Sequence, residues 1–287
     1  MVSEWFRTAG KKLREDGVVS TATAGKAVAM RQVSSVYKPK KRRFVQRIKY
    51  GSVAPDPTEV IYINPADIDF VQAPRFHDEL DKKGSYIESG DWDLRFSDHD
   101  LYFLGAYENQ FTNRCLVPYD SYVFHTSCVQ HFINDVPWKE TRFYRWILEN
   151  QSKGIRGYDS EEDIKKSLKQ IDDLYEKIER NGYKSQVALG DRSNKPQHYD
   201  EILINISRNG DLILDDGRHR LSIAKILDIN RIPVRVFVRH REWQKKRKQI
   251  RKIDSKEKLG EHLSNYLSHP DIQSAHICQF QRPIQLM

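Results

Sequence analysis

The chain has 287 residues, of which 38% are hydrophobic, with 48 Lys+Arg against 40 Asp+Glu. That length suits one large domain or two modest ones, and the low apolar share implies extended or exposed parts beside a core. No apolar run approaches the roughly 18–20 residues of a membrane span, and Arg7, Lys11, Lys12, Arg14, Glu15 and Asp16 break up any secretory leader. The chain therefore reads as cytoplasmic, without a transmembrane segment.

Charge is unevenly distributed. Residues 1–50 carry 13 Lys+Arg against 3 Asp+Glu, residues 241–287 carry 10 against 5, and the middle, 51–240, holds 25 against 32. Two basic ends flank an acidic body, which is a poor cradle for a nucleic-acid backbone. Cys115, Cys128 and Cys278 are far apart and form no Cys-x-x-Cys. That spacing argues against a disulfide framework or a structural zinc site and leaves them as small apolar fillers.

Residues 1–50 read as a basic arm ending in Lys38-Pro-Lys-Lys-Arg-Arg43. Trp5 and Phe6 suit either an anchor on an anionic surface or a solvated arm packed on its own domain. After the turn-rich linker Gly51–Pro57, Val60 to Ile63 reads as a strand ended by Pro65. The segment 77–158 is rich in aromatic and acidic residues. In it, Gly90-Asp-Trp-Asp93 and Ser97-Asp-His-Asp100 place four carboxylates and a histidine within ten residues. Asp91 and Asp93 are thus candidate magnesium ligands, although capping aspartates of a polar loop have the same composition. Val136-Pro-Trp opens a helix with Phe143, Tyr144, Ile147 and Leu148 on one face, expected to be core.

Ser160-Glu-Glu-Asp163 is a helix start with acids suited to the dipole, and Asn181-Gly182 is its stop. Residues 184–198 are expected to be a loop. Ile202–Ile206 and Leu212–Leu214 form a hairpin about Asn209-Gly210. Next comes the most distinctive stretch, Asp215-Asp-Gly-Arg-His-Arg220, where a buried strand turns directly into a helix carrying Leu221, Ile223, Ala224, Ile226 and Leu227. Such a turn leaves the first N–H groups of the helix unpaired at the positive end of its dipole. Gly217 admits a close ligand, and Arg218, His219 and Arg220 add donors, a combination that favours phosphate. A charged strand-turn-helix corner is the plain alternative. Ile232-Pro-Val then leads into a strand at Val234–Val238, and residues 241–287 read as a basic helical tail.

A helix ending in Asn-Gly, a hairpin, Asp-Gly-Arg-His-Arg and an Ile-Pro-Val strand together resemble the ParB/sulfiredoxin superfamily from about Ser160 to Val238. Asn64-Pro-Ala-Asp-Ile68 and Pro74-Arg75 resemble its first strand and Pro-Arg box. The resemblance implies an α+β, ParB/sulfiredoxin-like mixed sheet with packed helices spanning 58–240. It would carry a large insertion at 77–158 and helical N- and C-terminal extensions. Arg218 stands where sulfiredoxins carry their cysteine, which excludes that chemistry, and the 47 residues after His240 are too few for a ParB-type DNA-binding domain with a dimerisation module. The Asp-Gly-Arg-His-Arg box looks closest to that of free serine kinases, and also like that of proteins linked to DNA sulfur modification.

The resemblance thus implies an ATP/ADP-dependent small-molecule kinase or nucleotide hydrolase using ATP, ADP or CTP with Mg2+ on an unknown acceptor. Gly217, Arg218, His219, Arg220 and Arg75 would hold phosphates, and Asp216, with His219, would be catalytic. Asp67, Asp69, Asp91, Asp93 and Glu140 stay open as the general base. The alternative is a nucleotide-dependent, ParB-like DNA-binding protein that engages DNA or an anionic surface through residues 1–50 and 241–252.

Overall fold

The structure, a computed structural model, describes residues 44–73, 75–95, 115–151, 158–190, 197–253 and 260–274. The chain divides into two compact units, residues 1–54 and 55–287. In the first, residues 44–50 form a helix followed by a 3-10 turn at Gly51–Val53. The rest of that basic arm lies outside the described residues.

The second unit is α+β, with the described residues forming a seven-stranded mixed sheet. Its strands are β1 (Ile61–Ile63), β2 (Ile68–Ala73), β3 (Tyr86–Glu88), β4 (Cys115–Pro118), β5 (Ile202–Ile206), β6 (Leu212–Asp216) and β7 (Ile232–His240). The order across the sheet is β1-β7-β5-β6-β2-β4, with β3 also paired to β7. β5 and β6 are the expected antiparallel hairpin, and Gly210 at its tip has φ 97°. β2 runs parallel to β6, so the chain after Ala73 and the chain after Asp216 leave the sheet at the same end. That parallel pairing is the feature of the fold that matters most for the site.

Among the helices of the described residues in this unit are α1 (Val123–Asn134), α2 (Arg142–Asn150), α3 (Glu161–Asn181), α4 (Gln186–Leu189), α5 (Arg218–Ile226) and α6 (Arg241–Lys252), with two short ones after it at Glu261–Ser264 and Pro270–Gln273. α3 has the boundaries its pattern demands. The Ser160 hydroxyl accepts the Asp163 N–H at 3.1 Å, Gly182 ends the helix at φ 70°, and Ile164, Leu168, Ile171 and Ile178 form its buried stripe. α4 interrupts the expected loop because Ser185 caps it, accepting from Ala188 N at 3.0 Å.

In α2, Phe143, Trp146 and Ile147 are buried, but Leu148 is exposed. The buried face is rotated towards Trp146 relative to the expected one. Cys115 and Cys128 are buried free thiols, and burial pushes Cys115 up to about 11 and Cys128 well above its ordinary value. Both are inert fillers. Cys278 lies outside the described residues.

The segments read as an insertion and as a tail both pack on the sheet. β3 and β4, both within 77–158, extend the sheet on β7 and β2, and α1 packs on α5. The segment also supplies Tyr86, Trp92 and Leu116 to the core cluster that holds Phe70, Leu203, Ile213 and Phe237. α6, read as a basic tail, packs on β7 and β3 through Trp243, Gln244, Arg247 and Ile250. No helix of the described residues is long and apolar enough to cross a membrane.

Candidate functional site

The site grows from the turn between β6 and α5. Gly217 adopts φ 98° and ψ 26°, a left-handed conformation that side chains resist. A Cβ there would stand 2.9 Å from Ile202 Cγ1 and 3.2 Å from Ile202 Cα, so glycine is required by space as well as by torsion. The turn leads straight into α5 with no side chain capping its start. The N–H groups of its first turn therefore have no intrahelical acceptor and face outward at the positive end of the dipole.

Asp215 and Asp216, adjacent in β6, do different work. Asp215 is fully buried. Its Oδ1 accepts from Phe76 N at 2.8 Å and Asn205 Nδ2 at 3.0 Å, and its Oδ2 from His77 N at 3.2 Å and His77 Nδ1 at 2.8 Å. One carboxylate thus stitches the segment following the Pro-Arg box to the end of β6. Asp216 is partly exposed, pairs with Lys82 and accepts the Gly217 N–H at 2.8 Å. Burial works against its charge, but His77, Lys82 and the Gly217 N–H hold its carboxyl down at about 2.

The basic residues of the motif diverge. Arg218 lies over the Phe124 ring at 5.0 Å and the Phe143 ring at 5.6 Å, and donates to Tyr122 Oη at 3.4 Å. Aromatic side chains of the 77–158 segment therefore wall this side of the turn. His219 packs on Phe124, ring centres 4.9 Å apart, and burial together with Arg218 drives its pKa down to about 3. It is a neutral imidazole at physiological pH, so it adds no positive charge to the site.

Arg220 turns the other way. It donates to the Asp200 carbonyl at 2.5 Å and lies 3.8 Å from Glu201 Oε2. Glu201 is buried and raised by that burial, while its Oε1 accepts the Gln186 N–H at 2.7 Å. Arg220 lines a cavity of about 270 Å³ together with Leu174, Ile178, Tyr183 and Leu189, and burial pushes the Tyr183 hydroxyl up to about 12. That volume sits at the small end of ligand sites.

Arg75 comes to the same end of the sheet and pairs with Asp78 at 3.5 Å. Asp91 and Asp93 do not join it. Both grip Arg208, Asp93 with its side chain almost fully buried, at 2.8 Å and 2.6 Å. The sequence motif that suggested a magnesium site is here an anchor for the β5–β6 hairpin. Asp98 and Asp100 lie outside the described residues, and among the described residues no group of three or more His, Cys, Asp or Glu stands close enough to hold a metal. Asp67 and Asp69 lie by Lys225 at the far end of α5, and Glu140 is exposed in the turn before α2. None of these five open candidates reaches the turn by an observed contact.

Sequence reasoning missed Asp215, His77, Lys82, Glu201 and Tyr183. The doubled Asp215-Asp216 was one available signal, since alternate strand residues point to opposite faces and one of the pair must point inward. Comparison of the chain with family models, curated proteins and solved structures gives no match.

Proposed function

We propose that the protein binds the phosphates of a nucleotide at the Gly217 turn and acts as a small-molecule kinase or nucleotide hydrolase. The observation that carries this reading is the turn itself. A glycine that tolerates no side chain opens the uncapped N-terminus of α5, and Arg220 in its first turn lines the 270 Å³ cavity. Phosphate oxygens suit the N–H groups and dipole, and the cavity, apolar on Leu174, Ile178 and Leu189, suits the uncharged part of the same ligand. The parallel arrangement of β2 and β6, which puts Arg75 and the Asp-Gly-Arg-His-Arg box at the same end of the sheet, also supports the ParB/sulfiredoxin-like reading of the fold. Phosphoryl chemistry of this kind works mainly by positioning and charge neutralisation. Magnesium, when bound with the nucleotide, would neutralise phosphate charge, and Asp216, ionised and beside the turn, is the carboxylate suited to orient it or the acceptor.

The test is calorimetric titration with ATP, ADP, CTP and GTP, with and without Mg2+, on wild type, Arg220→Ala and Asp216→Asn. Binding by wild type that weakens at least tenfold in Arg220→Ala is expected. No binding by any nucleotide, or binding indifferent to Arg220→Ala, would sink the assignment.

A second reading, nucleotide-dependent DNA binding, is favoured by the charge of residues 1–50. Residues 241–252 now add less to it, because Arg247 is buried and Lys246 is tied to the Arg208 carbonyl and Tyr266 hydroxyl. Affinity for duplex DNA that falls steeply with salt and disappears on deleting residues 1–50 is its signature.

A further inference from the structure

We propose that His77, held by the buried carboxylate of Asp215, is the proton acceptor of the reaction at the Gly217 turn. The proposal rests on the phosphate-binding reading above and supplies the general base that the sequence left open.

The geometry is that of a base fixed by a third group. Asp215 Oδ2 accepts His77 Nδ1 at 2.8 Å, while Phe76 N, His77 N and Asn205 Nδ2 hold the carboxylate in place from two other elements. An acceptor facing Nδ1 places the ring proton there, so that the lone pair lies on Nε2. The backbone N–H groups of Phe76 and His77 already fasten this segment to β6. A clip alone would not need the imidazole.

Nε2 faces Asp78 Oδ1 at 3.4 Å, a loose distance to a half-exposed carboxylate. The ring is 8% exposed, sheltered but not sealed. The same stretch of chain that carries His77 also carries Lys82, which pairs with Asp216 one residue from Gly217. The charged groups around the ring are therefore Asp215 and Asp216 from β6, and Asp78, Arg75 and Lys82 from its own segment.

In the step, a water or acceptor hydroxyl oxygen forms a bond to the terminal phosphorus. The bond from phosphorus to the bridging oxygen breaks, and its electron pair leaves with the nucleoside diphosphate. Nε2 takes the proton of the attacking oxygen and returns it to solvent. No oxidant or further reactant is needed. Asp215 is a positioning residue that keeps the lone pair on Nε2.

The experiment uses the full chain with ATP or CTP and Mg2+, water serving as acceptor. Nucleotide affinity and phosphate release are followed from pH 5 to 9 for wild type, His77→Ala and His77→Gln, with and without added imidazole. Expected is affinity within about twofold of wild type in both variants. Release should slow at least about 100-fold, and imidazole should partly rescue His77→Ala. Thermal melting separates a folding defect from a chemical one, and His77→Gln keeps a side-chain donor for Asp215 if the alanine variant unfolds. Release at the wild-type rate in the folded variants overturns the proposal. Wild type that binds nucleotide but releases no phosphate overturns it while leaving the phosphate site standing. Wild type that binds no nucleotide overturns both.

Discussion

Two arginine-rich parts of the molecule invite comparison, the first turn of α5 and the contact between β7 and α6. In sequence they look alike: Arg218 and Arg220 in one, Arg239 and Arg247 in the other. In the fold, Arg239 and Arg247 are buried, at 1% side-chain exposure each, and converge on the fully buried Asp271 at 2.7 Å and 2.9 Å, where Trp243 Nε1 is a third partner at 2.8 Å. Arg239 and Arg247 together hold the Asp271 carboxyl far below its ordinary range against the opposing effect of burial. Around α5 the cations lean on aromatic rings, a carbonyl and a more distant Glu201, and Arg220 borders a cavity. A count of basic residues therefore does not measure charge available to a partner. What matters is whether the fold supplies a carboxylate at contact distance.

The largest expected effect breaks the β7–α6 side. Asp271→Ala removes the carboxylate that two buried guanidinium groups share and should lower the unfolding free energy by about 3–5 kcal/mol. Urea denaturation measures it, and an unchanged midpoint would mean that the cluster is not what joins α6 to the sheet.

Gly217→Ala strikes the α5 side. It forces a Cβ into Ile202 at positive φ and should cost about 1–3 kcal/mol, while also abolishing any melting-temperature rise given by nucleotide. A variant that melts and binds like wild type would remove the argument from backbone geometry.

A smaller effect is a dependence on pH. Burial lowers His219 to about 3 and His125 to about 4, from 6.5. Below pH 6.5 the unfolded chain therefore binds protons that the folded chain refuses, and stability falls as pH drops from about 6.5 towards 3. His219→Gln should flatten that slope in melts recorded at pH 7, 6, 5 and 4. An equally steep slope would place the titration elsewhere.

The smallest effect is expected for the exposed Lys252, at the end of α6. Lys252→Ala should change stability by no more than about 0.5 kcal/mol, and a larger loss would show that α6 relies on its exposed charges as well as on Arg247.

Local signals were legible where one stretch of chain suffices to define the structure. Ser160, Asp163 and Gly182 mark α3 at both ends, Asn209-Gly210 marks its hairpin, and Gly217 marks the turn into α5. Features set by distant residues were not legible. β7 carries Arg235 and Arg239 among its apolar residues, yet every residue in it is buried. Arg235 donates to the carbonyls of Pro57, Gly84 and Lys82, and Arg239 finds Asp271. No periodicity reveals such partners. The pairing of Asp91 and Asp93 with Arg208 was hidden for the same reason, since Arg208 lies far along the chain. The burial of His219 was equally hidden, because Phe124 and Arg218 determine its environment. The acids proposed as bases were selected by residue type, whereas Asp215 and His77 are brought together by the parallel pairing of β2 with β6.

The position of β7 has a consequence for how the molecule is made. β1 and β3 pair with no described strand except β7, and β5 lies against it as well. All of these are synthesised before it. At a ribosome adding about 5–20 residues per second, the earliest strands wait many seconds with bare edges until the chain past His240 has emerged. Contacts between ends so far apart in sequence also make closure slow. β1 and β3 are only three residues long, and such short edges are poor templates for wrong partners. Their brevity protects a nascent chain that must wait for its central strand.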